Sequence, residues 1–286
     1  IMSDNKILII TGGTGGHVIP AMNYFNYLKN NSRNVFLITD IRGYKYIINT
    51  DEKNIHKIYS SHLTGNIFFK LLGLIKLFIG FLQSLIIFIK LQPKTIVSFG
   101  SYASFAPLIC FVLFKFLFKS KLYLHEQNSI IGQTNKLFSK NANKIFVNFN
   151  KEYPILNKYK KKIFVVGLPQ KNIKRNSYYK QRKNENRINF LIFAGSQGSI
   201  DIINFFSHII NEIKKFPIRK KINFIIQCPI QIQNQIKNLL INNNFNFEIK
   251  SFYSNFEDIL GKTDIALCRS GAGTINDLIN YKIPSI

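Results

Sequence analysis

The order strand, glycine loop, helix opens this chain and recurs in its second half, and few folds accommodate it twice. Residues 6–11 (KILIIT) form a β-branched run ended by glycines, and residues 18–30 carry apolar positions at helical spacing. Between them lies Gly12-Gly13-Thr14-Gly15-Gly16-His17. Residues 189–194 (NFLIFA), the loop Gly195-Ser196-Gln197-Gly198-Ser199 and a helix over residues 202–214 repeat the arrangement. Further buried strands are predicted at residues 35–39, 95–99, 121–125, 144–148, 223–227 and 264–268. Strands alternating with helices imply parallel βαβ units, hence two doubly wound, Rossmann-like α/β domains facing a cleft. The predicted division is an N-terminal domain over residues 1–166, a linker over 167–188 rich in Lys, Arg, Asn and Tyr, and a C-terminal domain over 189–286.

A chain of 286 residues can bury a core in each domain without disulfide or metal staples. Hydrophobic residues make up 46% of it, which excludes intrinsic disorder despite a net charge of +25. That charge has three readings: nucleic acid, an anionic membrane surface or phosphorylated substrate, and drift in a Lys-, Ile-, Asn- and Phe-rich composition. The lysines are scattered, and the sequence has no zinc-finger spacing, basic zipper or RNP-type motif, so nucleic acid is not the expected partner. Cys110, Cys228 and Cys268 lie far apart with no CxxC, the usage of a reducing compartment. The first ten residues run straight into a strand and do not read as a signal peptide.

The apolar segment Ile67–Leu91 has to be weighed as a membrane span, which needs about 20 apolar residues. Lys70, Lys76 and Lys90 interrupt it, and its longest charge-free run, residues 77–89, contains Gln83 and Ser84. A buried or interfacial helix fits better. Phe105–Phe118 is similar, with Lys115 inside and Lys119 after it. Each is either a core helix or an apolar face flanked by lysines that docks on an anionic leaflet.

Four loops carry the chemistry. Gly12 to His17 offers bare backbone N–H groups and a helix dipole to an anion, phosphate above all. A dinucleotide fingerprint fails there because Val18 stands where the last glycine belongs, although Asp40 after the second strand keeps that reading open. His17, in the first turn beside this loop, either accepts a hydroxyl proton or merely caps the helix. The loop from Gly195 to Ser199 repeats the cradle, with the Ser196 hydroxyl as a donor to a phosphate oxygen. His125-Glu126-Gln127-Asn128 ends a predicted strand, the edge where α/β sheets bind ligands. Arg269-Ser270-Gly271 leads into a helix whose Asp277 either accepts hydrogen bonds from a sugar or complements the dipole.

GGTGGHVIP (12–20), SFGSYASFAP (98–107), HEQNSIIGQTNKLFSK (125–140), AGSQGS (194–199) and CRSGAGTINDLI (268–279) occur in order along the chain. Together they resemble the family 28 glycosyltransferases of peptidoglycan synthesis. The resemblance implies a GT-B fold with the acceptor on the first domain and UDP-GlcNAc on the second. It implies transfer of GlcNAc to the 4-hydroxyl of MurNAc in undecaprenyl-diphospho-MurNAc-pentapeptide, with inversion. It further implies peripheral attachment to the cytoplasmic face of the inner membrane and contacts with cell-wall synthesis or division proteins. His17 occupies the family's proposed base position, and Tyr102, Glu126 and Asn128 match residues of the acceptor and reaction cleft. Donor contacts carry over to Thr14, Gly15, Gly16 and Asn128, then to Ser196, Tyr253, Ala272, Gly273, Thr274, Ile275, Asn276 and Asp277. The chain has no DxD motif, so no metal and no cofactor is expected at the transfer step.

Several positions depart from the family pattern. Lys171 stands for an Arg and loses the bidentate fork, Leu168 replaces an Asn, Asp277 replaces a Glu, and Ser101 sits where glycine is usual. The family's donor-sugar glutamines and last helix have no counterpart before Ile286, so the second domain is expected to be incomplete and donor binding weak. The alternatives are an impaired module that binds the lipid acceptor and a GT-B transferase using another nucleotide sugar.

Overall fold

Aliphatic runs too short for helices become the buried strands of two parallel sheets in the computed structural model, which describes residues 5–47, 52–62, 65–170, 187–193, 200–213, 221–253 and 255–286. The chain divides into two units, Ile1–Lys171 and Asn172–Ile286. Most of the sequence predicted as a linker, together with Lys171, Ser196 and the whole second glycine loop, lies outside the described residues.

The first unit holds β1 (Ile7–Ile10), β2 (Val35–Asp40), β3 (Ile55–Ile58), β4 (Thr95–Ser98), β5 (Lys121–Glu126), β6 (Lys144–Val147) and β7 (Ile163–Val165). They form one seven-stranded sheet in the order β3-β2-β1-β4-β5-β6-β7, with every pairing parallel. Alternate residues of β1 feed opposite faces, as the two-residue period of a strand requires. Ile9 joins Val18, Ala21, Met22 and Phe25 of α1 (Gly15–Asn30). Leu8 and Ile10 join Ile87 and Phe88 of α3 (Ile67–Leu91) and Leu108 and Phe111 of α4 (Phe105–Phe118). A short α2 (Ile41–Tyr44) follows β2, and α5 (Gln133–Phe138) follows β5.

Strand order reverses between β1 and β4, since β2 and β3 continue to one side and β5 to β7 to the other. Ligands of open α/β sheets bind beyond the carboxyl ends of the strands at such a switch point. The loops after β1 and β4 therefore flank the expected binding crevice of this unit.

The second unit is built the same way from β8 (Arg187–Phe193), β9 (Lys221–Gln227), β10 (Asn246–Lys250) and β11 (Ile265–Cys268), in the order β10-β9-β8-β11. Its helices are α6 (Ile200–Ile213), α7 (Ile230–Asn242), α8 (Phe256–Lys262) and α9 (Ala272–Tyr281). Its core lies on both sheet faces, around Phe206, Phe224 and Leu240 on one and Leu191, Ile225 and Leu278 on the other.

Helix α3 decides a question the sequence left open. It is one continuous helix of 25 residues with mean hydropathy 2.3 in its most apolar stretch, of which only 22% is buried. By length and composition it could cross a membrane, which the lysine spacing alone had argued against. The core-helix reading fails for most of it. Gly73, Gly80, Ser84, Ile87 and Phe88 face the protein, while Ile67, Phe68, Phe69, Leu71, Leu74, Ile75 and Phe78 are exposed. Contact on the inner side is close: a Cβ at Gly80 would collide with the carbonyl of Tyr59.

Candidate active site

The loop after β1 is bent by a carboxylate. Asp40, at the end of β2, is buried; its Oδ1 accepts the amides of Gly13 and Gly43, each at 2.8 Å. Its Oδ2 accepts Ser60 Oγ at 2.8 Å and Arg42 Nε at 3.1 Å. Burial pushes this carboxyl up, but the Gly13 and Gly43 amides, Ser60 and the Arg42 guanidinium outweigh it and hold the pKa below the ordinary value. Both oxygens are thus committed to the fold, and Asp40 has no lone pair set aside for a ribose. Glycine is required at two positions here. A Cβ at Gly12 would overlap Ala103 and crowd Asp40, and Gly13 has φ +76°.

So braced, the loop delivers the start of α1 to the crevice, with Thr14 as its N-cap residue. First-turn amides of a helix have no partner inside it, so those of Gly15 and Gly16 form an anion-receiving end. His17 follows them. Its Nδ1 lies 2.9 Å from the carbonyl oxygen of Phe99 and 2.8 Å from Gln127 Oε1.

Glu126 is 1% exposed at the end of β5, and donors meet both of its oxygens. Oε1 accepts the Asn128 amide at 3.0 Å and Asn128 Nδ2 at 3.2 Å; Oε2 accepts the Gly132 amide and Asn135 Nδ2, each at 2.9 Å. The carboxylate shapes the loop that carries Asn128 and leads into α5. Tyr102, half exposed, lies against the ring of His62 at 4.0 Å, and Arg42 Nη1 is 2.8 Å from His62 Nε2.

These groups surround a cavity of about 320 Å3 lined by Gly13, Thr14, His17, Arg42, His62, Gly100, Ser101, Tyr102, Glu126, Asn128, Gly132, Gln133, Thr134 and Asn135. Of the sequence-derived candidates, Thr14, His17, Tyr102, Glu126 and Asn128 come together there, with Gly15 and Gly16 adjoining. Arg42 and His62 were not singled out, and Gln127 was named only as part of the His125–Asn128 motif, with no role of its own. For Arg42 the available signal was its place just past the carboxyl end of a strand.

In the second unit Gly271 is the N-cap residue of α9, and the Ile275 amide donates to its carbonyl at 2.9 Å. Ala272, Gly273, Thr274, Ile275, Asn276 and Asp277 form the first turns of α9 and are all part-exposed. Asn276 Nδ2 folds back onto the Ala272 carbonyl at 2.9 Å. Tyr253, the other donor-contact candidate of this unit, is buried. Its ring is in the core, its hydroxyl donates to the Glu248 carbonyl at 3.2 Å, and burial raises its pKa.

Two parallel α/β units, each with a switch point, a helix N-terminus offered to an anion and a histidine at the first of them, together with the family matches that follow, make this a glycosyltransferase of GT-B type. Residues 7–147 match the glycosyltransferase family 28 N-terminal domain and residues 189–286 its C-terminal domain. A UDP-N-acetylglucosamine--N-acetylmuramyl-(pentapeptide) pyrophosphoryl-undecaprenol N-acetylglucosamine transferase of Rickettsia bellii is 32% identical over 98% of this chain and 78% of its own length. The protein of that name from Rickettsia canadensis is also 32% identical, over 98% and 77%. The crystal structure of Acinetobacter baumannii MurG superposes with a TM-score of 0.74 at 21% identity, covering 98% of this chain and 78% of that one. The chain belongs to glycosyltransferase family 28.

Proposed function

We propose that the chain transfers GlcNAc from UDP-GlcNAc to the 4-hydroxyl of MurNAc in undecaprenyl-diphospho-MurNAc-pentapeptide, inverting the anomeric carbon. The observation that carries this reading is His17, held through Nδ1 at the mouth of an anion-receiving helix, so that Nε2 is the nitrogen left for substrate. The acceptor O4 attacks the anomeric carbon, the bond from that carbon to the diphosphate oxygen breaks, and UDP leaves with its electron pair. His17 Nε2 takes the hydroxyl proton. Tyr102 and the Arg42–His62 pair border the acceptor in this reading, and Asn128, held by Glu126, reaches the sugar.

The donor diphosphate is assigned to the start of α9, with Ser196 as a further donor and Lys171 as a cation in place of the family's Arg. No metal or other cofactor takes part in this reading, and transfer should survive chelation. Exposed α3, with Leu113, Phe116 and Leu117 of α4, supports peripheral docking on the cytoplasmic leaflet, where the lipid-linked acceptor resides.

The test is incorporation of labelled GlcNAc from UDP-GlcNAc into the lipid-linked acceptor, with other nucleotide sugars as competitors. His17→Ala is expected to lower kcat by about 10²–10⁴-fold while acceptor binding persists. Failure of the parent chain to transfer while it still binds the acceptor would instead make it a lipid-binding module.

A further inference from the structure

Gln127 is 1% exposed and does not line the cavity, yet it ends on the atom opposite the reacting nitrogen of His17. Its Nε2 lies 3.0 Å from the His125 carbonyl oxygen and 3.2 Å from His125 Nδ1. A carbonyl only accepts, so the amide nitrogen belongs on that side and Oε1 on the side of His17. The Phe99 carbonyl, 2.9 Å from the same His17 Nδ1, also only accepts. Nδ1 of His17 therefore carries the proton and Nε2 the lone pair. Beyond Gln127 the pattern continues. His125 Nε2 donates to the Gly167 carbonyl at 2.9 Å, which leaves its Nδ1 free to accept from the Gln127 amide. The Phe99 ring stacks on His125 at 4.9 Å and fixes the plane of that imidazole. From Gly167 to His17 each group has one donor or acceptor role open to it.

We infer that Gln127 and His125 are positioning residues which, with the Phe99 carbonyl, lock His17 in the Nδ1–H tautomer. A free neutral imidazole prefers the other tautomer, whose Nε2 would present a proton to the acceptor hydroxyl instead of receiving one. The inference rests on the transfer reaction proposed above for its kinetic consequence, but not for its geometry.

Long-range ¹H–¹⁵N NMR of the full chain reports which ring nitrogen of His17 is protonated, with no substrate present; the His17→Ala spectrum assigns the signal. The expected result is Nδ1–H in the parent and a mixture with Nε2–H in Gln127→Leu. In the transfer assay Gln127→Leu should lose at least about tenfold in kcat, less than His17→Ala, with KM for UDP-GlcNAc unchanged. Gln127→Glu keeps an acceptor toward His17 and should retain the Nδ1–H tautomer and recover part of kcat. His125→Phe keeps the stack on Phe99 while removing both ring hydrogen bonds, and should fall between parent and Gln127→Leu. A parent protonated on Nε2, or a Gln127→Leu chain with unaltered tautomer and kcat, overturns the inference. The expected tautomer shift without transfer of GlcNAc by any chain would uphold the inference and sink the reaction it was tied to.

Discussion

Ser101 has φ 77° and ψ 164°, a region occupied essentially by glycine alone, and a side chain held there costs about 1–3 kcal/mol. Its Oγ accepts the Ala103 amide at 3.1 Å, and its carbonyl accepts Thr134 Oγ1 at 3.1 Å, so neighbouring contacts hold the strained turn at the cavity wall. Ser101→Gly is expected to stabilise the first unit by about 1 kcal/mol, the strain relieved minus the lost Oγ bond. Urea titration checks this, and a lower midpoint would refute it. His125 makes a second prediction. Burial lowers its pKa from 6.5 to about 4, with the Gly167 carbonyl and Glu126 acting weakly the other way. As pH falls below 6.5 the unfolded chain takes up this proton and the folded chain does not. Stability is therefore full above pH 6.5 and is lost on the way down to about 4. His56 and His62 are also lowered and add slope of the same sign, so His125→Phe should flatten the acid slope without abolishing it. Equal slopes for parent and variant would refute the assignment.

At the scale of elements, α3 presents an apolar face that the rest of the first unit leaves uncovered, with Lys70 and Lys76 exposed on the same helix and Lys115 and Lys119 on or beside α4. Burying one such aromatic or aliphatic side chain is worth about 1.5–3 kcal/mol and each nearby lysine about 1 kcal/mol at an anionic surface. The chain should co-sediment with vesicles rich in anionic phospholipid and be partly released by salt. Phe68→Asp with Phe78→Asp should abolish binding and leave the fold intact, because these side chains are 61% and 62% exposed. Retained binding by that double variant would exclude α3 as the docking surface. Strands with strong aliphatic runs, such as β1 and β8, were legible in the sequence. β3 (IHKI), β7 (IFV) and β10 (NFEIK) were not, because they are short and carry His, Lys or Glu, and their pairing comes from neighbours already in the sheet. The direction in which α3 faces was equally hidden, since an apolar helix has the same composition whether it meets core or lipid. Site residues within a motif were found together, Gln127 among them; Arg42 and His62 meet the others only through strand order, which no local spacing encodes, and neither does the contact of Gln127 with His17.

As a whole, the molecule carries two sets of cores, one around β1 and β5 and the other around β8 and β9, and among the described residues each buried cluster is drawn from one unit. Calorimetry should resolve two transitions, and UDP, assigned to α9, should raise only the one that belongs to the second unit. A single transition shifted as a block would contradict this. Before the chain passes into its second unit, residues 167 and 169 are tied down twice. The Gly167 carbonyl holds His125, and the Pro169 carbonyl accepts Asn23 Nδ2 of α1 at 3.0 Å. The helix that bears His17 and the histidine behind Gln127 thus grip the same short stretch of main chain. Tension on that crossing is expected to reach His17, the proton acceptor proposed above, through a linkage only a few residues long.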